Sequence, residues 1–263
     1  MAERRQLAVA VAGLGSVGIK VARALDAGID GLRLAAVTAS SPESARNRIA
    51  QFKSSPAVVT LDELADHGDI VVECLPPDCF RAIALSALER DRILIAASVG
   101  GLLENPDIVE RARTGSGRII APSGAIAGVD ALSAAREAGL QSVKLISTKP
   151  PKAFGEAGDG IVEPTTIFVG AAREAVKRFP KNINVAATVS LAGFGPDRTI
   201  IEIRADPAAS ANRHELQIVS GVGEAVMTSV NLPDPDNPKS SAITGYSIIA
   251  ALRRLADPLS IGS

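Results

Sequence analysis

The sequence is poor in the side chains that build reactive or cross-linked sites. It has no tryptophan, one tyrosine, two cysteines and two histidines among 263 residues. Two cysteines exclude a disulfide-rich scaffold, and a zinc site made from histidine and cysteine alone would use all four of those residues. His67 and His214 are the only side chains whose unperturbed pKa lies close to neutral pH. Chemistry that needs a proton carrier near pH 7 therefore has few candidates.

A charge excess and long hydrophobic runs are also missing. The 28 Lys and Arg residues almost balance the 29 Asp and Glu residues, so the net charge is −1 and the pI is about 6.2. A nucleic-acid or anionic-membrane binder needs a basic excess, so neither partner is expected. No apolar run reaches the ~18 residues of a spanning helix, and the apolar N-terminal segment continues into a glycine-rich turn rather than a cleavage site. Cys74 and Cys79 are then expected as reduced thiols in a cytoplasmic protein.

Apolar runs alternate with helical patterns through the first half of the chain. The predicted strands are 7–12, 32–38, 58–60, 70–75, 93–97 and 119–121. The predicted helices are 17–27, 42–52, 78–89 and 106–113, with Ser41 as the N-cap of the second. Continuous apolar strands separated by helices predict a parallel sheet covered on both faces. We therefore expect an α/β, Rossmann-type domain over residues 1–122.

The pattern changes after Pro122. A long Ala-rich helix is predicted from Ser123 to about Ala138. Further helices are predicted at 171–178, 184–192 and 241–255, and strands at 143–148, 198–205, 214–220 and 225–230. The close spacing of the last three strands predicts an α+β domain over residues 123–240, with a mixed or antiparallel sheet. We expect this domain to carry substrate binding, catalysis and oligomerisation, and the C-terminal segment 241–263 to pack back on the first domain.

Gly13, Gly15 and Gly18 form a G-x-G-x-x-G pattern between the first predicted strand and the first predicted helix. In this context Gly13 permits a tight turn, Gly15 lets the backbone approach a pyrophosphate, and Gly18 lets helix and strand pack closely. The N–H groups of Ser16 and Val17 at the helix start would complete an anion site. The pattern predicts a dinucleotide cofactor, and no metal site is expected.

The residues after the second strand indicate which dinucleotide binds. NAD-selective domains usually carry Asp or Glu about 20 residues beyond the glycine loop, whereas this strand ends Thr38-Ala-Ser40-Ser41. Ser40 and Ser41 can hydrogen-bond a 2′-phosphate, and Arg46 or Arg48 could approach it. We therefore expect NADP, or dual use of NADP and NAD. A solvated helix face is the alternative interpretation of the two arginines.

Clusters of small and polar residues stand out in the second half. They are 123–130 (SGAIAGVD), Lys149-Pro-Pro, 179–188 (FPKNINVAAT), 212–215 (NRHE) and 237–247 (NPKSSAITGYS). Together with the glycine loop and 98–102 (SVGGL), this ordered set resembles the L-aspartate dehydrogenase family from about residue 8 to residue 253. The most specific parts are Lys-Asn-Ile-Asn-Val-Ala, Asn-x-His and Asn-Pro-Lys-Ser-Ser.

The resemblance implies oxidation of L-aspartate at Cα with hydride transfer to nicotinamide C4, which gives iminoaspartate and then oxaloacetate and ammonia. It places the active-site histidine of the family at His214 and two dinucleotide contacts at Ala125 and Asn184. His214 also suits the reaction by its chemistry, because amine oxidation needs a neutral amino group and later a base that activates water on the imine. A partly exposed histidine at a strand end is the alternative for His214, and His67 is expected in a polar surface turn.

A dicarboxylate substrate needs two cationic or strongly donating groups. Lys149 and Lys239 are candidates because both lie beside prolines in predicted loops, although ordinary surface lysines are the alternative. Ser240 and Ser241 add hydroxyl donors near the predicted start of the last helix.

Two other functions remain compatible with the sequence. The same two-domain plan serves NAD(P)-dependent dehydrogenases that act on other amino or hydroxy acids, and a dinucleotide-binding module without turnover would carry the same first domain. We also expect a homodimer, with an apolar face of the second sheet paired across a two-fold axis, and a tetramer is equally compatible.

Overall fold

The computed structural model describes residues 5–179 and 184–262, and the side chains of residues 238 and 239 lie outside that description. The chain forms two compact units. The first comprises the described residues up to Pro122 together with Thr244–Ile261, and the second is built from Ser123–Ile243. Each unit has its own core of buried apolar side chains.

The first unit contains a six-stranded parallel sheet. Its strands are β1 (Leu7–Ala12), β2 (Leu32–Thr38), β3 (Ala57–Val58), β4 (Ile70–Glu73), β5 (Ile93–Ala96) and β6 (Arg118–Ile120). They lie in the order β3-β2-β1-β4-β5-β6, which is the arrangement of dinucleotide-binding folds. Residues 8–12 and 70–73 are buried on both faces of the sheet, as expected for central parallel strands.

Five helices connect these strands. They are α1 (Ser16–Ala27), α2 (Pro42–Ile49), α3 (Phe80–Glu89), α4 (Gly100–Glu104) and α5 (Pro106–Thr114). The predicted N-cap of α2 is confirmed, because the Ser41 hydroxyl accepts a hydrogen bond from the Ser44 N–H at 3.1 Å. Two predictions were inaccurate. The second helix ends at Ile49 rather than 52, and the third begins with a 3-10 turn over Pro77–Cys79 before α3.

The second unit contains a five-stranded sheet in the order β11-β10-β7-β9-β8. Its strands are β7 (Leu140–Lys149), β8 (Thr165–Ala171), β9 (Ile200–Ala205), β10 (Asn212–Ser220) and β11 (Gly223–Asn231). The sheet is mixed, because β7 and β9 are parallel while the other neighbouring pairs are antiparallel. Strand β8 was not predicted from the sequence.

Helices α6 (Val129–Glu137), α7 (Ala172–Arg178) and α8 (Asn184–Ala192) contribute apolar side chains to the core on one face of this sheet. The prediction of a helix from Ser123 was wrong. Gly128 precedes α6 with a left-handed φ of +83°, and a Cβ at this position would lie 2.3 Å from the Met227 side chain. The chain must therefore turn at Gly128 before the helix can begin.

A short hairpin and a final helix complete the chain. The hairpin consists of β12 (Pro233–Asp234) and β13 (Asn237–Ser241). Helix α9 (Ile243–Ala256) follows, and its Ile248, Ala251 and Leu252 belong to the core of the first unit.

Candidate active site

The glycine loop joins β1 to α1 with the geometry of a phosphate-binding turn. Gly13 has a φ of +88°, and a Cβ there would lie 2.5 Å from the carbonyl oxygen of Cys74. A Cβ on Gly18 would lie 1.8 Å from the Gly13 carbonyl oxygen. These two glycines are required by the fold itself. Gly15 differs, because no described atom outside its immediate chain neighbours lies within 4 Å of the position its Cβ would take.

Gly15, with this open space at its Cβ position, directly precedes α1. Gly15 is the N-cap of this helix, so among the described residues no side chain caps the first turn. The N–H groups of Ser16 and Val17 therefore belong to a helix terminus that attracts anions. A pyrophosphate fits this cradle, and the residues present suit a dinucleotide.

The end of β2 carries hydroxyl groups and no carboxylate. Thr38 is buried, whereas Ser40 and Ser41 are exposed, and the Ser41 hydroxyl serves as the α2 cap. The Arg48 guanidinium donates to the Leu14 carbonyl oxygen at 2.8 Å, which places a positive charge at the glycine loop. Among the described residues of this strand end, no carboxylate follows Thr38 that would repel an additional phosphate.

His214 is the third residue of β10 and is only 5% exposed. It pairs in register with Ser147 of β7, and the Ser147 Oγ lies 3.0 Å from the His214 Nδ1. The interpretation of His214 as a partly exposed strand-end residue is therefore wrong. The imidazole is fixed by a hydrogen bond in the interior of the second unit, whereas His67 is exposed in a turn, as predicted.

Lys149 ends β7 on the same face of the sheet as Ser147 and is 8% exposed. Burial lowers its pKa from 10.5 to about 8. Burial, together with the positive charge of Lys149, lowers the pKa of His214 from 6.5 to about 4. The surface-lysine interpretation of Lys149 is wrong, and Lys149 rather than His214 has the pKa closest to neutral pH.

A small cavity of about 10 Å³ adjoins Ser147 and Lys149, and its volume is close to the minimum that holds one water molecule. Apart from Ser147 and Lys149 its lining is apolar and comes from strands, helices and the 3-10 segment after β7: Phe154, Ala175, Phe179, Ala186, Ile201 and Ile203. This apolar lining explains why charge on Lys149 is disfavoured.

Ala125 lies in the turn that precedes α6. Its carbonyl oxygen accepts a hydrogen bond from the buried Asn231 side-chain amide at 2.7 Å. The Ala127 N–H donates to the Ser229 hydroxyl at 3.4 Å, so the end of β11 fixes this turn at two points. Asn184 is the first residue of α8, and the preceding Lys-Asn-Ile part of its motif, 181–183, lies outside the described residues.

The predicted serine donors lie in β13 rather than at a helix start. Ser240 Oγ accepts a hydrogen bond from the Asn237 side-chain amide at 2.9 Å. Ser241 Oγ is buried and has no hydrogen-bond partner among the described residues. The prediction that the last helix begins at Ser241 was therefore wrong, since α9 begins at Ile243. The side chain of Lys239 lies outside the described part of the structure.

Comparison with known proteins identifies the family. Residues 130–255 match the family model "Aspartate dehydrogenase, C-terminal", and residues 13–122 match "Homoserine dehydrogenase, NAD binding domain". The chain is 42% identical to the L-aspartate dehydrogenase of Bradyrhizobium diazoefficiens, over 98% of this chain and 95% of that protein. The chain belongs to the L-aspartate dehydrogenase family.

Other members support the same assignment. The L-aspartate dehydrogenase 3 of Bordetella bronchiseptica is 40% identical over the whole length of both proteins. The crystal structure of the Thermotoga maritima aspartate dehydrogenase superimposes with a TM-score of 0.78 at 28% identity, covering 98% of this chain and all of that one. The resemblance seen in the sequence and the predicted fold class are confirmed.

Two polar residues of this family member were not predicted from the sequence. Ser147 contacts His214, and Asn231 contacts Ala125. They are separated from their partners by 67 and 106 residues, so only strand register could have revealed them.

The described residues contain no cluster of three or more His, Cys, Asp or Glu side chains that could hold a metal ion. Among the described helices, none is long and apolar enough to cross a membrane.

Proposed function

We propose that this chain is an NAD(P)-dependent L-aspartate dehydrogenase. The observation that carries the proposal is the buried group of His214, Ser147 and Lys149 within the unit that matches the aspartate dehydrogenase C-terminal model. The balanced reaction converts L-aspartate, NAD(P)⁺ and water to oxaloacetate, ammonium, NAD(P)H and a proton.

The first unit binds the cofactor. The loop residues Gly13, Gly15 and Gly18 and the N–H groups of Ser16 and Val17 hold the pyrophosphate, and Ser40 and Ser41 lie at the adenosine ribose. The family resemblance also assigns dinucleotide contacts to Ala125 and Asn184. When bound, the nicotinamide ring supplies the acceptor for the hydride that leaves Cα.

His214 is the acid–base group. The amino group of L-aspartate must lose a proton before hydride departs, and water must later be deprotonated as it adds to iminoaspartate. The Ser147 hydroxyl can accept a hydrogen bond from Nδ1–H of His214, and in this tautomer Nε2 carries the lone pair that takes the proton. The lowered pKa keeps the imidazole neutral, and therefore able to accept a proton, throughout the neutral range.

Lys149 is the cation that binds one substrate carboxylate. Its buried ammonium would gain an ion pair in a region where water screens weakly, so a dicarboxylate raises the pKa of both Lys149 and His214. The buried Ser241 hydroxyl lacks a partner within the described chain and is the proposed second donor to the substrate, with Ser240 and Lys239 on the same strand.

The protein assembles as a homodimer through the second sheet. The apolar face predicted for this contact is covered by helices, so the opposite face is the candidate surface. By strand alternation that face carries the exposed Val169, Val226 and Val230 and the ion pair of Lys144 with Glu202 at 2.6 Å. Sedimentation of Val226→Asp should show monomers where the unchanged protein shows dimers, and a monomeric unchanged protein would refute the assembly.

The reaction is tested by incubating the protein with L-aspartate and either NAD or NADP, and by the reverse assay with oxaloacetate and ammonium. D-Aspartate, L-malate and L-homoserine are run in parallel. Reduction of the cofactor with L-aspartate, and with none of the other three compounds, supports the proposal. Turnover of another amino or hydroxy acid would assign a related dehydrogenase, and dinucleotide binding without any turnover would assign a binding module.

A further inference from the structure

Glu73 is a fully buried carboxylate at the carboxyl end of β4, and the proposed reaction gives it no role. It pairs in register with Ala12 of β1 and with Ala96 of β5, so it lies level with the residue before the glycine loop. Both neighbours are small and apolar. A carboxylate in this layer costs desolvation free energy that an alanine would not, so its hydrogen bonds must offset that cost.

The Glu73 carboxylate connects the segments that follow two adjacent strands. It accepts the Leu75 N–H at 2.8 Å on Oε1 and the Ser98 N–H at 2.9 Å on Oε2. The Ser98 hydroxyl also donates to Oε1 at 2.9 Å and lies 3.3 Å from the Leu75 carbonyl oxygen. Burial raises the pKa of Glu73, and the donors on Ser98 and Leu75 act in the opposite direction. One side chain thus fixes the loops that leave β4 and β5.

The loop after β4 is also packed against the glycine loop. The Cys74 N–H donates to the Ala12 carbonyl oxygen at 2.8 Å. The Cys74 carbonyl oxygen lies only 2.5 Å from the position that a Cβ on Gly13 would take, which is why only glycine fits there. Cys74 is therefore held beside the glycine loop by its own backbone hydrogen bond, whereas the Glu73 side chain fixes the residues beyond it, Leu75 and Ser98.

The strand order assigns these loops to one half of the cofactor. In this arrangement the dinucleotide lies across the carboxyl ends of the strands, with its adenosine ribose at the end of β2. The other nucleotide half then lies over β4 and β5, which carry the Glu73-linked loops. Resting on the proposed dinucleotide-dependent function, we propose that Glu73 is a positioning residue that holds the β4 and β5 loops in the conformation that binds the nicotinamide half.

The variant Glu73→Gln tests this inference with little change in volume. A glutamine has one carbonyl oxygen, so its NH₂ group must face the N–H of either Leu75 or Ser98. One backbone N–H then loses its acceptor, and one loop is released. Ser98→Ala is the milder partner variant, because it removes the bridging hydroxyl and leaves both backbone hydrogen bonds to Glu73.

Binding is measured by calorimetry with NADH and with ADP, which carries the adenosine and pyrophosphate but no nicotinamide. For Glu73→Gln we expect the NADH affinity to fall by about tenfold and the ADP affinity to change by less than about twofold. Ser98→Ala should show a smaller loss with the same selectivity. Thermal unfolding of each variant is recorded in parallel, and Ser98→Ala decides the question if Glu73→Gln does not fold.

Equal losses for NADH and ADP would overturn the inference, because they would mark Glu73 as a general structural residue. Unchanged NADH binding in both variants would overturn it as well, and so would failure of the unchanged protein to bind NADH. None of these measurements needs aspartate. Selective loss of NADH binding in a protein that does not oxidise L-aspartate would retain the role of Glu73 while refuting the proposed reaction.

Discussion

The Oγ of Ser147 lies 3.0 Å from Nδ1 of His214, across two antiparallel strands that place the two residues directly opposite each other. This contact determines which ring nitrogen of His214 is available to the substrate. Because both side chains are buried, the imidazole orientation depends on strand pairing rather than on a mobile loop.

Replacing Ser147 by alanine should therefore lower kcat more than it raises KM for L-aspartate. The imidazole loses its only described hydrogen-bond partner and can adopt the wrong tautomer, for an expected loss of about tenfold in kcat. Ser147→Thr retains the hydroxyl and is the matched control. Steady-state kinetics of both variants check the prediction, and equal activity of Ser147→Ala and the unchanged protein would contradict it.

Binding of a dicarboxylate should weaken as the pH rises through about 8, where the Lys149 ammonium loses its proton. Succinate is the suitable probe, because it has no amino group that would titrate in the same range. Its dissociation constant should increase with pH in the unchanged protein, and Lys149→Met should bind it about 10- to 100-fold more weakly at neutral pH. A succinate dissociation constant that does not change with pH would show that Lys149 is not the carboxylate ligand.

The buried ammonium of Lys149 should also lower stability in a defined pH range. Below pH 8 both the folded and unfolded states carry the proton, and the folded state bears the cost of burial. Between about 8 and 10.5 only the unfolded state binds it, so stability rises with pH. The stability advantage of Lys149→Met over the unchanged protein should thus shrink by up to about 3 kcal/mol across this range.

Denaturant unfolding at several pH values measures this difference. Lys152→Met is the control, because it removes an exposed lysine from the same part of the chain. Its curve should run parallel to that of the unchanged protein. A constant difference between Lys149→Met and the unchanged protein would mean that the lysine is not buried as a charge.

Arg48 should contribute to the use of NADP. Its guanidinium is placed at the glycine loop by the hydrogen bond to Leu14, so Arg48→Ala should raise KM for NADP by about tenfold and change KM for NAD far less. Arg46→Ala, on the same helix, is the comparison. Equal effects of Arg48→Ala on both cofactors would place this arginine outside the 2′-phosphate site.

The first unit could be predicted almost completely, because buried parallel strands are uniformly apolar and alternate with amphipathic helices. The second unit was harder to predict. Strand β8 begins with the exposed Thr165 and Thr166 at the end of an irregular segment, so its apolar run is short. The helix predicted from Ser123 fails because the left-handed turn at Gly128 depends on tertiary contact with Met227.

The candidate site was predictable in its residue types but not in its electrostatics. His214 and Lys149 were both identified from the sequence, yet their pKa values depend on burial, and the pKa of His214 depends also on the charge of Lys149. The sequence favoured His214 as the group that titrates near neutral pH, whereas the structure gives that property to Lys149. Ser147 carries no motif, and its role follows from register alone.

The most direct test of the central claim follows deuterium from L-[2-²H]aspartate in the unchanged protein and in His214→Ala. The unchanged protein should transfer the label to NAD(P)H and form one oxaloacetate and one ammonium per label transferred. His214→Ala should bind the cofactor normally and turn over at least about 10²-fold more slowly. Full activity in His214→Ala would contradict the assignment of His214. A product without label transfer in the unchanged protein would contradict the assignment of the reaction.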